Sequence, residues 1–362
     1  MTGMAHELAD LGRLDLTGDV VDLTEAICNV QSVSLDEQRL CDLIETELAA
    51  LSHLSLTRLG NSLVARTELG RTERVVIAGH IDTVPLNHNL PVTRDEEFLH
   101  GLGTCDMKGG VAVALQLAAT ITEPNRDLTY VFYEGEEIDS IYNGLRRISE
   151  ERPELIEADF AILMEPSNGV VEAGCQGTLR FDVITRGERA HSARSWMGHN
   201  AIHDAGAVLR RLGDYVARQP EVDGLRYHEG LNAVLISGGV AGNVIPDECR
   251  VTVNHRFAPD RSIEEAKAFV EDFFAGYEIE YVDQDSGARP GLDRPVAQQF
   301  VAATGGVVNP KFGWTDVARF TRLGVPAVNF GPGDPIYAHK ADERVPIEQI
   351  RSCAASLAAW LG

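Results

Sequence analysis

The sequence predicts a mostly parallel α/β domain with a smaller α+β domain spliced into it, and three observations carry that reading. Short, continuous apolar runs alternate with helical patterns through the first half of the chain. Near Cys175 the texture changes to strands with one wet face, and past residue 290 helix and strand patterns resume toward the C-terminus. Continuous apolar strands separated by helices are the mark of a parallel sheet covered on both faces.

From Leu16 to Leu54 apolar residues recur at helical spacing, as in Leu40, Leu43, Ile44, Leu48 and Leu51. Short β-rich runs follow, Ser62 to Arg66 and Arg74 to Ala78, the second leading into Gly79-His80-Ile81-Asp82. After the glycine-rich Gly101 to Gly110, the alanine-rich Val111 to Ala119 predicts a buried helix. Leu128 to Tyr133 and Phe160 to Met164 predict buried strands. Thr178 to Thr185 alternates apolar and polar residues, the period of a half-exposed strand. A helix over Ala201 to Arg218, strands around Asn232 to Gly238 and over Cys249 to Phe257, and a helix over Ser262 to Phe274 complete a βαββαβ order, which implies an antiparallel, ferredoxin-like sheet with helices on one face. Ala327 to Phe330 predicts another strand and Ile347 to Leu361 a terminal helix. The domain boundaries expected are 1–176 with 290–362 for the α/β domain and 177–289 for the insert.

The 362 residues suffice for a full core, and 44% hydrophobic with 24% charged residues is an ordinary globular balance. A formal net charge of −23 opposes binding to nucleic acid or to anionic membranes. Met1 to Val20 lacks a basic region followed by an apolar block, so a cytoplasmic location is expected. Cys28, Cys41, Cys105, Cys175, Cys249 and Cys353 are scattered without a C-x-x-C pair, which predicts reduced, mostly buried thiols.

Several segments place metal-ligand side chains at the ends of predicted strands, where open α/β sheets bind ligands. In an extended Gly79 to Asp82, His80 and Asp82 share one side, and a metal-bound histidine needs a partner for its other nitrogen. Gly101 to Gly110 fits neither G-x-G-x-x-G nor the P-loop, because Lys108 is followed by glycine; a tight turn presenting Asp106 at a helix start fits better, with an N-cap as the competing role. Glu134-Gly135-Glu136-Glu137 follows an apolar strand directly, and acids packed there destabilise the fold unless cations neutralise them. One of the adjacent acids can bind metal while its neighbour serves as a base. Glu165 ends another apolar strand, and His339 lies in the loop after Ala327 to Phe330. Together these segments supply two histidines and three carboxylates, enough for two zinc ions sharing a bridging carboxylate.

In order along the chain, G-H-x-D-x-V-P, G-x-G-x-x-D-M-K-G-G, E-G-E-E, E-P-S and a late A-H-K resemble the signature of the M20 metallopeptidase family. The resemblance implies a zinc-hydrolase catalytic domain with a lid and dimerisation insert. It implies two zinc ions per subunit, with cobalt able to substitute, and an N-acyl amino acid as small-molecule substrate. By the same resemblance Asp106 bridges the metals, His80 and Glu165 hold one, and Glu137 and His339 hold the other. Asp82 would orient His80, Glu136 would be the general acid/base, and His191 would reach the active site of the partner in a homodimer to stabilise the oxyanion.

Within the family, Glu172 to Gly177, Arg189 to Met197, Asn243 to Asp247 and Lys311 to Asp316 are similar to the succinyl-diaminopimelate desuccinylases, particularly the actinobacterial type. Better-known desuccinylases place a substrate-contacting arginine where Cys175 or Gln176 stands here. Arg194 or Arg256 would then supply the cation, with Asn243 hydrogen-bonding the substrate. Deacetylases of acetylornithine, aminoacylases and di- or tripeptidases of the family would use the same metals. A dinucleotide-binding oxidoreductase is opposed by the missing fingerprint, and a purely structural metal site by the paired Glu136 and Glu137.

Overall fold

The computed structural model describes residues 12–362; the reading of the N-terminus as free of an export signal concerns, through residue 11, residues outside that range. Of the described residues, those through Ala173 together with Gly291–Asn309 and Arg319–Gly362 make one compact unit, and Gly174–Pro290 with Pro310–Ala318 make a second. The sequence reading assigns 310–318 to the first domain. In the structure that segment is tied into the second unit, where Trp314 Nε1 donates to the Ser286 carbonyl at 3.2 Å and the Cys175 thiol lies 3.7 Å from the Thr315 carbonyl.

The first unit is built on an eight-stranded sheet. Its centre is four neighbouring strands in the order Asp127–Tyr133, Arg74–His80, Phe160–Leu163 and Ala327–Asn329, all parallel. Antiparallel strands flank them, Ser62–Arg66 with Ser55–Leu59 on one side and Val171–Ala173 on the other. The apolar runs have their physical reason here: every residue of Asp127–Tyr133 and of Phe160–Leu163 is buried, so both faces of these strands need apolar side chains. Because the four central strands run in one direction, their carboxyl ends all open on the same edge of the sheet. Tyr133, His80 and Leu163 stand at those ends in adjoining register, with His80 opposite Tyr133 and Ala78 opposite Leu163.

The helical pattern of Leu16 to Leu54 resolves into two helices, Val20–Asn29 and Gln38–Ala49. Between them the chain leaves helical geometry to form a parallel bridge from Val33 to Thr83, which brings Ser34 beside Asp82. The alanine-rich helix spans Lys108–Thr120 and packs on Val20–Asn29, on the strand Arg74–His80 and on the terminal helix Ile347–Leu361. Its first turn explains the glycines of the motif. A Cβ on Gly109 would lie 2.5 Å from the Thr104 carbonyl oxygen, and one on Gly110 would lie 2.2 Å from that of Met164. The glycines serve close packing of the helix start against the sheet.

The second unit carries a four-stranded antiparallel sheet in the order Gly230–Gly238, Glu248–Phe257, Gly177–Arg186, Glu278–Asp285. Leu179, Phe181, Val183, Val251 and Val253 point to one face and pack with Ala205 and Val208 of the helix Ala201–Gly213 and with Ala266 and Val270 of the helix Ile263–Phe273. The first of these helices stops at Gly213 instead of reaching Arg218; glycine weakens a helix interior by ~1 kcal/mol relative to alanine. All six cysteines are buried and none is joined in a disulfide, and no helix among the described residues is long and apolar enough to cross a membrane.

The close approach at the helix start yields a prediction. Gly110→Ala should lower stability by about 1–3 kcal/mol, because the added methyl must displace backbone; chemical denaturation of the variant against wild type measures it.

Candidate metal centre

Four adjacent strand ends and one loop deliver the ligand-type side chains. His80 closes the strand Arg74–His80, Glu136 and Glu137 follow Tyr133, and Glu165 follows Leu163 and Met164. His339 arrives on the loop beyond Ala327–Asn329, and Asp106 on the loop that ends at the helix Lys108–Thr120. Two groups result. The ligand atoms of His80, Asp106 and Glu165 lie within 4.8 Å of one another, and so do those of Asp106, Glu137 and His339.

Asp106 belongs to both groups, and its two oxygens divide between them. Oδ1 lies 3.3 Å from His80 Nε2, while Oδ2 lies 3.4 Å from His339 Nε2. His339 Nε2 also lies 2.9 Å from a Glu137 oxygen. His80 is fixed from behind, its Nδ1 standing 3.1 Å from the Asp82 carbonyl oxygen and 3.5 Å from the Asp82 carboxylate. That leaves Nε2 directed at Asp106, the arrangement a metal-ligating imidazole needs.

The electrostatics show how much negative charge is concentrated here. Hydrogen bonds that its ring donates to Asp106 and Glu137 raise His339 to about 10. Burial alone would lower His80, yet Asp106 and Asp82 hold it well above its ordinary value. Burial works to raise Asp106, but its contacts with His339 and His80 outweigh that and keep it below the usual carboxylate range. Burial raises Glu137, with His339 opposing. In the absence of a cation, protonated histidines would balance the acids, and a bound cation would displace those protons. Each group offers one imidazole nitrogen and two carboxylates, a donor set that suits zinc and other borderline divalent ions.

Comparison with known proteins decides the family. The model of peptidase family M20/M25/M40 matches residues 76–362. The chain belongs to that family. It is 54% identical over 352 residues to the DapE protein of Mycobacterium tuberculosis, covering 96% of this chain and 99% of that one. It is 45% identical to the succinyl-diaminopimelate desuccinylase of Corynebacterium glutamicum over 359 residues, 96% of this chain and 97% of the relative. A tripeptidase from Staphylococcus aureus shares its fold, with a TM-score of 0.78 at 21% identity over 97% of this chain and 98% of that one. The M20 fold expected from the motifs is therefore present, and with it a hydrolase of amide bonds.

Asp82 does more in this M20 chain than the sequence reading gives it. Its carboxylate accepts the backbone N–H groups of Glu136 and Glu137, each at 3.1 Å, and the Ser34 hydroxyl at 2.7 Å. One buried carboxylate therefore fixes the turn that carries both glutamates. Ser34 escaped the sequence reading because it sits inside a stretch with helical spacing, with no motif around it. Glu343 escaped it too: it is buried and bonded to the Asp106 loop, but in sequence it is one more acid after His339.

The remaining candidates lie in the second unit. His191, Arg194 and Asn243 are exposed and share one loop cluster, where Ser192 N–H donates to the Asn243 carbonyl at 2.9 Å and Arg194 N–H to the His191 carbonyl at 2.7 Å. Arg256 is set apart from them, half-buried within the strand Glu248–Phe257, and burial lowers its pKa.

Removing either imidazole should cost metal. His80→Ala and His339→Ala should each lower bound zinc below the wild-type content, read by elemental analysis after dialysis. Undiminished metal in both variants would remove these residues from the ligand set.

Proposed function

We propose that this chain hydrolyses the amide bond of N-succinyl-LL-2,6-diaminopimelate, releasing succinate and LL-2,6-diaminopimelate, with two zinc ions at the centre described above. The observation that carries the reading is the 45% identity over nearly the whole length to the Corynebacterium glutamicum desuccinylase. His80, Asp106 and Glu165 would hold one ion and Asp106, Glu137 and His339 the other. Bound there, zinc supplies a lowered pKa for water, about 7, and polarisation of the scissile carbonyl.

The residues of the chain supply the rest. Glu136 belongs to neither ligand group, yet its backbone N–H is held by Asp82 Oδ1 while Oδ2 of the same carboxylate holds that of Glu137. In the proposed role its carboxylate takes the proton lost when water adds to the carbonyl carbon. It returns that proton to the amine nitrogen as the C–N bond breaks. His191 would stabilise the oxyanion. Its Nδ1 accepts the Ala193 N–H at 3.0 Å, so a neutral ring carries its proton on Nε2, the nitrogen left to donate. Arg194 or Arg256 would pair with substrate carboxylates, and Asn243 would hydrogen-bond the substrate.

The second unit would serve as lid and dimer contact. Its edge strand Gly230–Gly238 pairs on one side with Glu248–Phe257 and presents Val234, Leu235 and Ile236 at 58%, 63% and 49% exposure. An open apolar edge is a template for a second copy of the chain, and a homodimer would cover it. The biosynthetic substrate accords with a cytoplasmic site.

A panel of N-succinyl-diaminopimelate, N-acetylornithine and di- and tripeptides, supplied with zinc, tests the substrate. The succinyl compound should be turned over at the highest kcat/KM; preference for another member would replace the proposed substrate and leave the metal chemistry standing. Glu136→Gln should retain its metal and lose about 10²–10⁴-fold in kcat.

A cross-subunit role for His191 is open to a mixing experiment. His191→Ala and Glu136→Gln proteins, each nearly inactive, form heterodimers in which one site combines the intact Glu136 with the partner's intact histidine. Activity should return toward half the wild-type rate per heterodimer, with differently tagged chains confirming exchange. Confirmed heterodimers without activity would rule that role out.

A further inference from the structure

Glu343 is 1% exposed, and both its carboxylate and its backbone carbonyl accept from the loop that carries Asp106. Its Oε1 accepts the backbone N–H of Cys105 at 3.0 Å and that of Asp106 at 3.1 Å. Its own carbonyl accepts the N–H of Gly101 at 2.9 Å. One residue therefore grips both ends of the segment Gly101 to Asp106. Inside that segment Thr104 N–H closes on the Gly101 carbonyl at 3.2 Å, and beyond it Lys108 N–H bonds the Gly103 carbonyl at 2.8 Å. The loop is thus a braced unit whose position follows that of its clamp.

The clamp stands on the segment of the other ligand. Glu343 N–H donates to the Lys340 carbonyl at 3.2 Å, one residue beyond His339. Immediately after Glu343 the strand Arg344–Pro346 pairs with Phe98–His100, the strand that leads into Gly101. His80 and Glu165, by contrast, hang on the ends of central strands without passing through Glu343.

We propose that Glu343 is a positioning residue that sets the spacing between Asp106 and His339, and thereby the affinity of the metal position built from Asp106, Glu137 and His339. The inference rests on the two-metal reading above. Its physical basis is the double acceptor: without Oε1, the N–H groups of buried Cys105 and half-buried Asp106 lose their partner, and the loop must shift to satisfy them. Asp106 would move relative to His339 most, because the two are joined through this contact. The position that includes His80 and Glu165 keeps two of its three ligands on rigid strand ends.

Zinc titration of metal-stripped protein by calorimetry tests the proposal, with competition against a chelator where binding is tight. Wild type, Glu343→Gln and Glu343→Met are compared, and His339→Ala marks which binding step belongs to the His339 position. Glutamine keeps an oxygen acceptor at the same place, whereas methionine fills the space without one. Glu343→Met should weaken the step that His339→Ala loses by about 10- to 100-fold, the range typical of residues that orient ligands. The other step should change only a few-fold, and Glu343→Gln should bind both ions much as wild type does. A merely structural role would lower the melting temperature of the metal-free protein and leave the two affinities in their wild-type ratio. That outcome overturns the proposal, as does equal weakening in the glutamine and methionine variants. Should the methionine variant fail to fold, Glu343→Asp, which withdraws the carboxylate by one methylene, carries the same expectation and the same refutation. A wild-type protein that takes up fewer than two ions overturns the two-metal reading itself, and is told apart by its stoichiometry.

Discussion

Asp106 facing two histidines at once is the constraint on which the rest of the first unit depends. Both its oxygens lie within 3.4 Å of an imidazole nitrogen, and each imidazole group includes a further carboxylate. Placing Asp106, Glu137 and Glu165 so close would drive the strand ends apart in the absence of positive charge, since like charges a few ångströms apart repel strongly where water is excluded. A parallel sheet can bear that load. Four strand ends are locked side by side by backbone hydrogen bonds, and the acids sit one or a few residues past the last rung. The repulsion then acts on short tethers anchored in a core, and it is the histidines, or cations replacing their protons, that answer it.

Backbone N–H groups do much of the aiming. Asp82 gathers the amides of Glu136 and Glu137, and Glu343 gathers those of Cys105 and Asp106. In each case a buried carboxylate that could not stand alone is made stable by donors, and in return orients a neighbouring functional side chain. The two glycines behind Asp106 have a similar logic. They let the helix Lys108–Thr120 start against the carbonyls of Thr104 and Met164, which places Asp106 at the sheet edge. A glycine-rich loop that binds phosphate turns its amides toward a ligand, whereas this one gives two of them to Glu343.

The second unit has a different economy of surfaces. Alternate residues of its sheet bury against two helices, while Arg250 meets Asp182, Glu248 and Glu280 on the opposite face in partly exposed ion pairs. Such pairs contribute little to stability individually, about 0–1 kcal/mol, so the unit is held mainly by the apolar layer between sheet and helices, with a smaller cluster of Val222, Tyr227 and Ala258 beside it. The edge strand Gly230–Gly238 departs from that plan, with three consecutive exposed apolar residues. On a sheet that is otherwise wet on one side, they are the feature a folding argument leaves unexplained and a partner copy would explain.

The strand–helix alternation, the inserted βαββαβ unit and the five ligand-type side chains were legible in the sequence because each depends on local pattern. Continuous apolar runs declare strands buried on both faces, alternation declares a single wet face, and acids or histidines immediately after such runs can only emerge at a strand end. Order along the chain also sufficed to resemble one family. Other features depend on which residues become neighbours after folding. Ser34 lay in a helical pattern until the bridge from Val33 to Thr83 carried it to Asp82. Glu343 was an undistinguished acid until the pairing of Arg344–Pro346 with Phe98–His100 set it over the Asp106 loop. Residues 310–318 went to the second unit through contacts of Trp314 and Thr315 that no periodicity encodes. Periodicity reports how a segment divides its own faces between core and water. The partner of a buried carboxylate is chosen by long-range strand pairing, and that choice is made only in three dimensions.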